Sequence, residues 1–375
     1  MKRILTLDGG GIRGVFSLQI LARIEALFRV DRHDPNLVLA EVFDLIAGTS
    51  TGAIIATYLS WGLPVQEVVR RYDVHGPDLF TPGSILDMLR FKYRADTIAG
   101  FFKQQFAEVD GTPAKLGTAL LKKLLLVVMR NGSTGGSWPI TNNPLALFND
   151  RARADCNLEF PLWQLLRAST AAPTFFPPEE IELDGRINMF MDGGMTPYNN
   201  PALIAVLTAT LPRYRICWPA KREELHVISV GTGTERAKMP GKPALDINLY
   251  DHIKYIAPAL LGSIAWEQDL LCRILGDCVH GAVLDREIGA LEMPTLLDGC
   301  EQRFTYVRYD EPLDGTHPEI RKLPAGQIAL DDCTQMGLLK KLGKEYAERH
   351  VQRQHLYPRG LDFVPCECSV TPRWE

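Results

Sequence analysis

The sequence predicts an α/β domain built on a central, mostly parallel sheet with helices packed on it. Three observations carry this prediction. Short apolar runs of strand length alternate with segments of helical period through the first third of the chain. Glycine-rich motifs stand where those runs end and helices begin, which is where open parallel sheets build their sites. The length, 375 residues with 46% hydrophobic and 23% charged, suits one large globular α/β domain or two modest ones.

Each element follows from its residues. Arg3–Leu7 is a short apolar strand. Val15, Leu18, Leu21, Ile24 and Phe28 share one helical face, so a helix runs from Val15 to about Phe28. Val42–Ala47 is a second strand, Ala53–Trp61 a buried helix and Val65–Tyr72 a third helix. Alternation of this kind favours parallel strands with helical crossovers.

From 80 to about 132 the texture changes, and the stretch reads as a possible helical insertion near the site. It holds two amphipathic segments, Ile85–Tyr93 and Thr97–Phe106, and then an apolar run of strand length, Leu124–Met129. Leu86, Met88, Leu89, Phe91, Tyr93, Phe101, Phe102 and Phe106 are interleaved with Arg90, Lys92, Arg94 and Lys103. Such a surface suits a lipid interface, and it equally suits core-packing helices. Residues 131–137 read as a flexible loop. Helix is expected at Leu162–Ala172 and Ala202–Leu211, and strand at Ile187–Met191 and Leu225–Val230. Residues 236–375 read as a mostly helical C-terminal region packed on the rest.

Charge and cysteines exclude several classes. Lys plus Arg is 41 and Asp plus Glu is 45, a net charge of −4, so there is no basic excess to bind DNA or RNA. No apolar run reaches the roughly 18–20 residues that span a bilayer. The start, Met1-Lys2-Arg3-Ile4-Leu5-Thr6-Leu7-Asp8, has no signal-peptide apolar region, so a cytoplasmic protein is expected. The eight cysteines are scattered, and Cys366 and Cys368 have no second close pair to complete a zinc site. Reduced thiols and no metal are expected.

Three motifs carry chemistry. Asp8-Gly9-Gly10-Gly11-Ile12-Arg13-Gly14 follows a strand and opens a helix. Gly9, Gly11 and Gly14 fit the dinucleotide fingerprint, which also needs an acid about 20 residues on, at the end of a second strand. Asp31 and Asp34 lie at that distance without a clear strand before them. The same loop suits an oxyanion hole, since glycines let backbone N–H groups converge at a helix N-terminus. A plain tight turn is the third reading.

Gly48-Thr49-Ser50-Thr51-Gly52 runs from an apolar strand straight into a helix. That is the context of a G-x-S-x-G nucleophile elbow, with Ser50 as nucleophile and Gly48 and Gly52 relieving crowding. A serine needs a base. Of the eight histidines, His226, His252 and His280 lie late enough to serve, and none has a distinctive setting. Met189-Phe190-Met191-Asp192-Gly193-Gly194 instead places a carboxylate at a strand end, with Asn199-Asn200-Pro201 opening the next helix. Taken alone, Asp192 reads as a turn carboxylate or a helix cap.

The ordered set Asp8–Gly14, Gly48–Gly52 and Asp192-Gly193-Gly194 resembles the patatin-like phospholipase family. Ala168-Ser-Thr-Ala-Ala-Pro-Thr-Phe-Phe-Pro177 and Val227-Ile-Ser-Val-Gly231-Thr-Gly233 resemble further stretches of that family, and the match covers residues 3–235. The resemblance implies a three-layer α/β fold with its catalytic domain over 3–235. It also implies a Ser50–Asp192 dyad with no histidine, and an oxyanion hole from the N–H groups of Gly9, Gly10 and Gly11 with Arg13 adding charge. The substrate would be membrane phospholipid, with no cofactor. A narrower resemblance is to the patatin-like effectors of bacterial CBASS anti-phage systems. It implies activation by a cyclic di- or trinucleotide, with residues 236–375 (which include Trp266) as the ligand or oligomer region, a homo-oligomer, and action at the inner face of the membrane.

Overall fold

The computed structural model describes residues 1–79, 95–173, 175–183, 185–233, 239, 243–292, 301–323 and 328–357. The first strand, β1 (Lys2–Leu7), leads through a single 3-10 turn at Gly11–Arg13 into α1 (Gly14–Asp31). β2 (Leu45–Thr49) then leads into α2 (Thr51–Ser60), followed by α3 (Val65–Leu79) and α4 (Ala95–Gln105). The chain continues as β3 (Leu124–Asn131), β4 (Ser137–Thr141), α5 (Leu162–Ser169), β5 (Glu179–Leu183), β6 (Arg186–Asp192) and α6 (Ala202–Thr210). The last described part holds β7 (Leu225–Val230), α7 (Leu249–Leu275), β8 (Asp277–His280), β9 (Thr305–Tyr309), α8 (Met336–His350) and the short α9 (Arg353–Leu356).

All nine described strands join one sheet, along the hydrogen-bonded path β5-β6-β3-β2-β1-β7-β9-β8, with β4 also paired to β3. β3, β2, β1, β7, β9 and β8 run parallel, and β4, β5 and β6 form the antiparallel edge. Residues alternate across the pleat. Leu5, Leu7, Ile46, Val127, Ile228 and Val307 enter the core shared with α1–α5 and α8. Ile4, Leu45, Leu126, Val128, Val227 and Tyr306 enter a second core beneath α6 and α7. A strand buried on both faces is mostly apolar on both, which is why β1, β2 and β7 are legible as near-continuous apolar runs. The result is the three-layer α/β architecture expected.

Two expectations are corrected. Residues 236–375, expected as a mostly helical region packed on the rest, also supply β8 and β9, which extend the central sheet beyond β7. A helical insertion does not run to 132, because 124–131 is β3, which pairs with β2, β4 and β6. Residues 80–94 lie outside the described residues, including Leu86, Met88, Leu89, Phe91 and Tyr93. Phe102 and Phe106 are core residues, each 1% exposed. The Phe106 ring centroid lies 4.7 Å from that of Tyr58 and 5.6 Å from that of Trp61. For these two the packing reading holds, and the lipid-facing one does not. Residues 131–137 are the turn joining β3 to β4, where Asn131 Oδ1 accepts the N–H groups of Ser133 and Thr134 at 3.0 and 3.1 Å. Among the described residues no helix is long and apolar enough to cross a membrane.

Candidate active site

The register of β3 brings the site together. Its residues 126–128 pair with both β2 and β4, and 129–130 with both β4 and β6. β2 and β6 therefore lie end to end along one edge of β3, with β4 on the other. Thr49 is opposite Val128, and Asp192 is opposite Met129, the next residue. The residue after Thr49 is Ser50. Its Oγ donates to Asp192 Oδ2 at 2.7 Å across 142 positions of chain.

Ser50 occupies a strained turn, with φ 53° and ψ −123°. A non-glycine residue there costs on the order of 1–3 kcal/mol and persists because its surroundings over-determine it. Those surroundings are visible. Ser50 N–H donates to Ser169 Oγ at 3.0 Å, and Ser169 Oγ donates to Val128 O at 2.6 Å. Thr49 Oγ1 donates to Tyr198 O at 2.6 Å. A Cβ on Gly48 would lie 2.2 Å from Gly52 O, and one on Gly52 would lie 2.2 Å from Leu7 O.

Asp192 is 6% exposed. Gly194 N–H donates to its Oδ1 at 2.7 Å, leaving Oδ2 for the serine. Burial pushes its pKa up to about 6, against the opposing pull of the Gly194 N–H, the Ser50 hydroxyl and the Arg167 charge. A carboxyl whose folded pKa is raised contributes stability that is full below its ordinary value near 3.8 and is lost as pH rises through about 6. Asp192→Asn should therefore unfold at a higher temperature than the wild type at pH 7.5, with a gain on the order of 2–3 kcal/mol. The gain should vanish at pH 4. Thermal unfolding at the two pH values checks this, and an equal gain at both would mean that burial of the charge is not its cause.

The glycine loop lies beside this pair. A Cβ on Gly9 would fall 3.2 Å from Ser50 Cβ. Gly9 N–H donates to Asn199 O at 3.2 Å, and Gly9 O accepts from Thr232 Oγ1 at 2.9 Å. Gly10 and Gly11 N–H make no backbone hydrogen bond among the described residues. Gly11 has φ +58° and packs against Leu330 O, to which Ile12 N–H donates at 2.8 Å. Arg13 is buried in the 3-10 turn that follows, and Gly14 packs on Thr51. Gly193 packs on Val128 O, where a Cβ would come within 2.3 Å.

The histidines lie elsewhere. His226 is near the start of β7, opposite Arg3 and Thr305, at the other end of the strands from Ser50. His280 ends β8 and stacks on His355 with ring centroids 4.5 Å apart. His252 lies at the start of α7. The dinucleotide reading also loses its acid. Asp31 closes α1 and pairs with Arg353, while the second strand ends at Thr49.

Ser169 and Arg167 carry no motif of their own in the sequence, although Ser169 stands in the 168–177 stretch. Arg167 is buried and its Nη2 donates to Pro177 O at 2.7 Å. The other missed group is Arg308 of β9, whose two Nη atoms donate to Asp8 Oδ1 and Oδ2 at 2.9 and 2.6 Å.

A strained serine hydrogen-bonded to a buried aspartate, beside backbone N–H groups of a glycine loop at a helix start, defines an α/β protein with a serine–aspartate pair. The chain belongs to the patatin-like phospholipase family, whose sequence profile matches residues 5–206. It is 26% identical over 257 residues to Patatin-17 of Solanum cardiophyllum, covering 62% of this chain and 61% of that protein. It is 30% identical over 243 residues to Calcium-independent phospholipase A2-gamma of Mus musculus, covering 62% of this chain and 28% of that protein. Patatin-like protein 4 of Arabidopsis thaliana is 24% identical over 388 residues, covering 96% of this chain and 87% of that protein. The chain thus spans less than two thirds of the first two relatives.

Proposed function

We propose that this chain is a serine acyl hydrolase that cleaves ester bonds of membrane phospholipids. The observation that carries the reading is the 2.7 Å Ser50–Asp192 hydrogen bond at a strained strand–helix turn. Ser50 Oγ attacks the ester carbonyl while Asp192 Oδ2 accepts its proton. The carbonyl oxygen becomes an oxyanion, and the N–H groups of Gly10 and Gly11 are its cradle in this reading. Gly9 N–H is engaged with Asn199 O, so its share in the cradle would require that bond to open. Arg13 adds positive charge nearby. The proton then passes from Asp192 to the leaving alkoxide. In the second half Asp192 deprotonates water, which attacks the acyl-serine and releases the fatty acid. Every proton transfer is assigned to Asp192, so the proposal includes no metal and no cofactor.

A carboxylate is a weak base, and a pKa raised to about 6 makes it a better one while leaving it ionised at neutral pH. The kcat/KM for a soluble short-chain ester should rise with pH, with an inflection near 6 from the free enzyme, and level off above 7. A profile flat from pH 5 to 8 would mean that the base titrates below 5 and that burial does not raise the Asp192 carboxyl into this range. The reading as a whole is tested by fluorophosphonate labelling and by fatty-acid release from phosphatidylcholine or phosphatidylglycerol vesicles. Label is expected on Ser50, and neither label nor release would overturn the proposal.

A second, finer reading is that of a CBASS-type effector, kept silent at the inner face of the membrane until a cyclic oligonucleotide binds. It is supported by the resemblance described above and by the hazard of an unregulated phospholipase to its own cell. Leu330 and Arg308, both beyond residue 235, hold the glycine loop, which gives a ligand or oligomer contact on that part of the chain a route to the site. Moving from about 1% to 99% active needs roughly a 10⁴-fold preference for the active state. Purified, nucleotide-stripped protein should gain at least about tenfold in esterase activity with one member of a cyclic di- and trinucleotide panel, with a shift in sedimentation. Full activity without ligand would leave an unregulated lipid hydrolase or acyltransferase.

A further inference from the structure

We propose that Arg308 is a positioning residue for the oxyanion loop, acting through Asp8. This rests on the hydrolase reading above. Arg308 lies in β9, is 4% exposed, and is separated from Asp8 by 300 positions of chain. Its guanidinium grips the Asp8 carboxylate with both Nη atoms, at 2.9 and 2.6 Å. The same two nitrogens donate to Ser229 Oγ at 2.8 Å and to Asp310 Oδ2 at 2.9 Å. Asp310 in turn accepts Gly233 N–H at 2.9 Å on its Oδ1.

The unit closes on the loop from two sides. Asp8 is the residue immediately before Gly9, and its N–H donates to Val230 O at 3.1 Å. Thr232, between the two anchored stretches, donates its Oγ1 to Gly9 O at 2.9 Å. Two consequences follow. A planar fork on a carboxylate fixes its rotation as well as its position, and so fixes the direction in which the next peptides present their N–H groups. The guanidinium, shared with Asp310, also offsets the charge of a carboxylate two residues from Gly10. Bare, that carboxylate would oppose the negative charge that develops on the ester oxygen.

Buried pairs of this kind contribute little to net stability compared with apolar replacements, so stability alone is a weak reason for one here. The test uses Arg308→Lys in the full chain, which keeps the charge and loses the fork, with p-nitrophenyl butyrate as substrate. The kcat should fall by about 10–100-fold with KM within about twofold of the wild type. Two inhibitors separate aim from loosening. A trifluoromethyl ketone forms a hemiketal oxyanion on Ser50, and its reduced alcohol does not. In Arg308→Lys the ketone should weaken by about the factor lost from kcat, while the alcohol binds as before. Folded Arg308→Lys with wild-type kcat, or equal weakening of ketone and alcohol, overturns the proposal. If Arg308→Lys does not fold, Arg308→Gln takes its place. It loses both the fork and the charge, so the same split is expected at no smaller a factor, and wild-type kcat there overturns the proposal too. Ser50→Ala is the control. If it abolishes turnover while Arg308→Lys is normal, the positioning role alone fails; if the wild type has no Ser50-dependent turnover, the hydrolase reading fails and takes this inference with it.

Discussion

Ser50→Ala and Asp192→Asn should each lower ester turnover by about 10³-fold or more, and the double variant should be no worse than either single one. The reason is that one proton is shared across one hydrogen bond. Without Ser50 there is no nucleophile for Asp192 to serve. Without an ionised Asp192 the hydroxyl keeps its proton and attacks poorly. Both variants should stay folded. Ser50→Ala removes only a hydroxyl from the strained turn, and the side-chain amide introduced by Asp192→Asn keeps an acceptor for Gly194 N–H. Steady-state kinetics with the short-chain ester, beside far-UV circular dichroism, makes the check. The outcome that would count against the dyad is an active Asp192→Asn together with an inactive His226→Ala or His280→Ala, since that would move the base to a histidine.

The second large effect is on folding. Gly48→Ala should destabilise the protein by about 3 kcal/mol or more, a large part of the net stability of a typical domain. Its new Cβ would lie 2.2 Å from Gly52 O, 2.3 Å from Gly52 C and 2.5 Å from Ala53 N, all backbone atoms. Backbone at the first turn of α2 has no rotamer with which to retreat. Gly52→Ala meets Leu7 O at 2.2 Å and Asp8 O at 2.6 Å, which drives α2 away from the end of β1. Gly100→Ala is the contrast. It lies inside α4 with nothing within 4 Å of a new Cβ, so it should gain up to about 1 kcal/mol from helix propensity. Urea unfolding of the three variants tests the ranking, and a Gly48→Ala protein as stable as Gly100→Ala would mean that the turn is not close-packed.

Much of the fold and of the site was legible in the residues themselves, and the reasons are local. β1, β2 and β7 are largely buried on both faces, so each is a near-continuous apolar run, and a run of that kind is visible without neighbours. The elbow around Ser50 is visible because backbone crowding at a strand–helix turn admits little but glycine on either side. β9 was missed for the opposite reason. Thr305-Tyr306-Val307-Arg308-Tyr309 carries a charge within it, and what makes that charge tolerable in a central strand is a pair of carboxylates, one of them 300 positions away. Phe102 and Phe106 were ambiguous because an amphipathic basic helix has the same pattern on a core as on a lipid surface, and what distinguishes the two is burial, with Phe106 against the rings of Tyr58 and Trp61 and Phe102 against Phe106.

The residues alone fix the α/β class, the glycine-flanked strand–helix turn at Ser50, the glycine loop and a carboxylate at a strand end, because each depends on short-range sterics and periodicity. Tertiary structure decided that Ser50 and Asp192 meet. β2 and β6 abut on one edge of β3, and that junction depends on strand pairings far apart in the chain. It also decided which glycine N–H groups are left without a backbone acceptor, since Asn199 takes that of Gly9. Hydrogen-bond partners and burial are properties of the assembled sheet, and no short stretch of residues carries them.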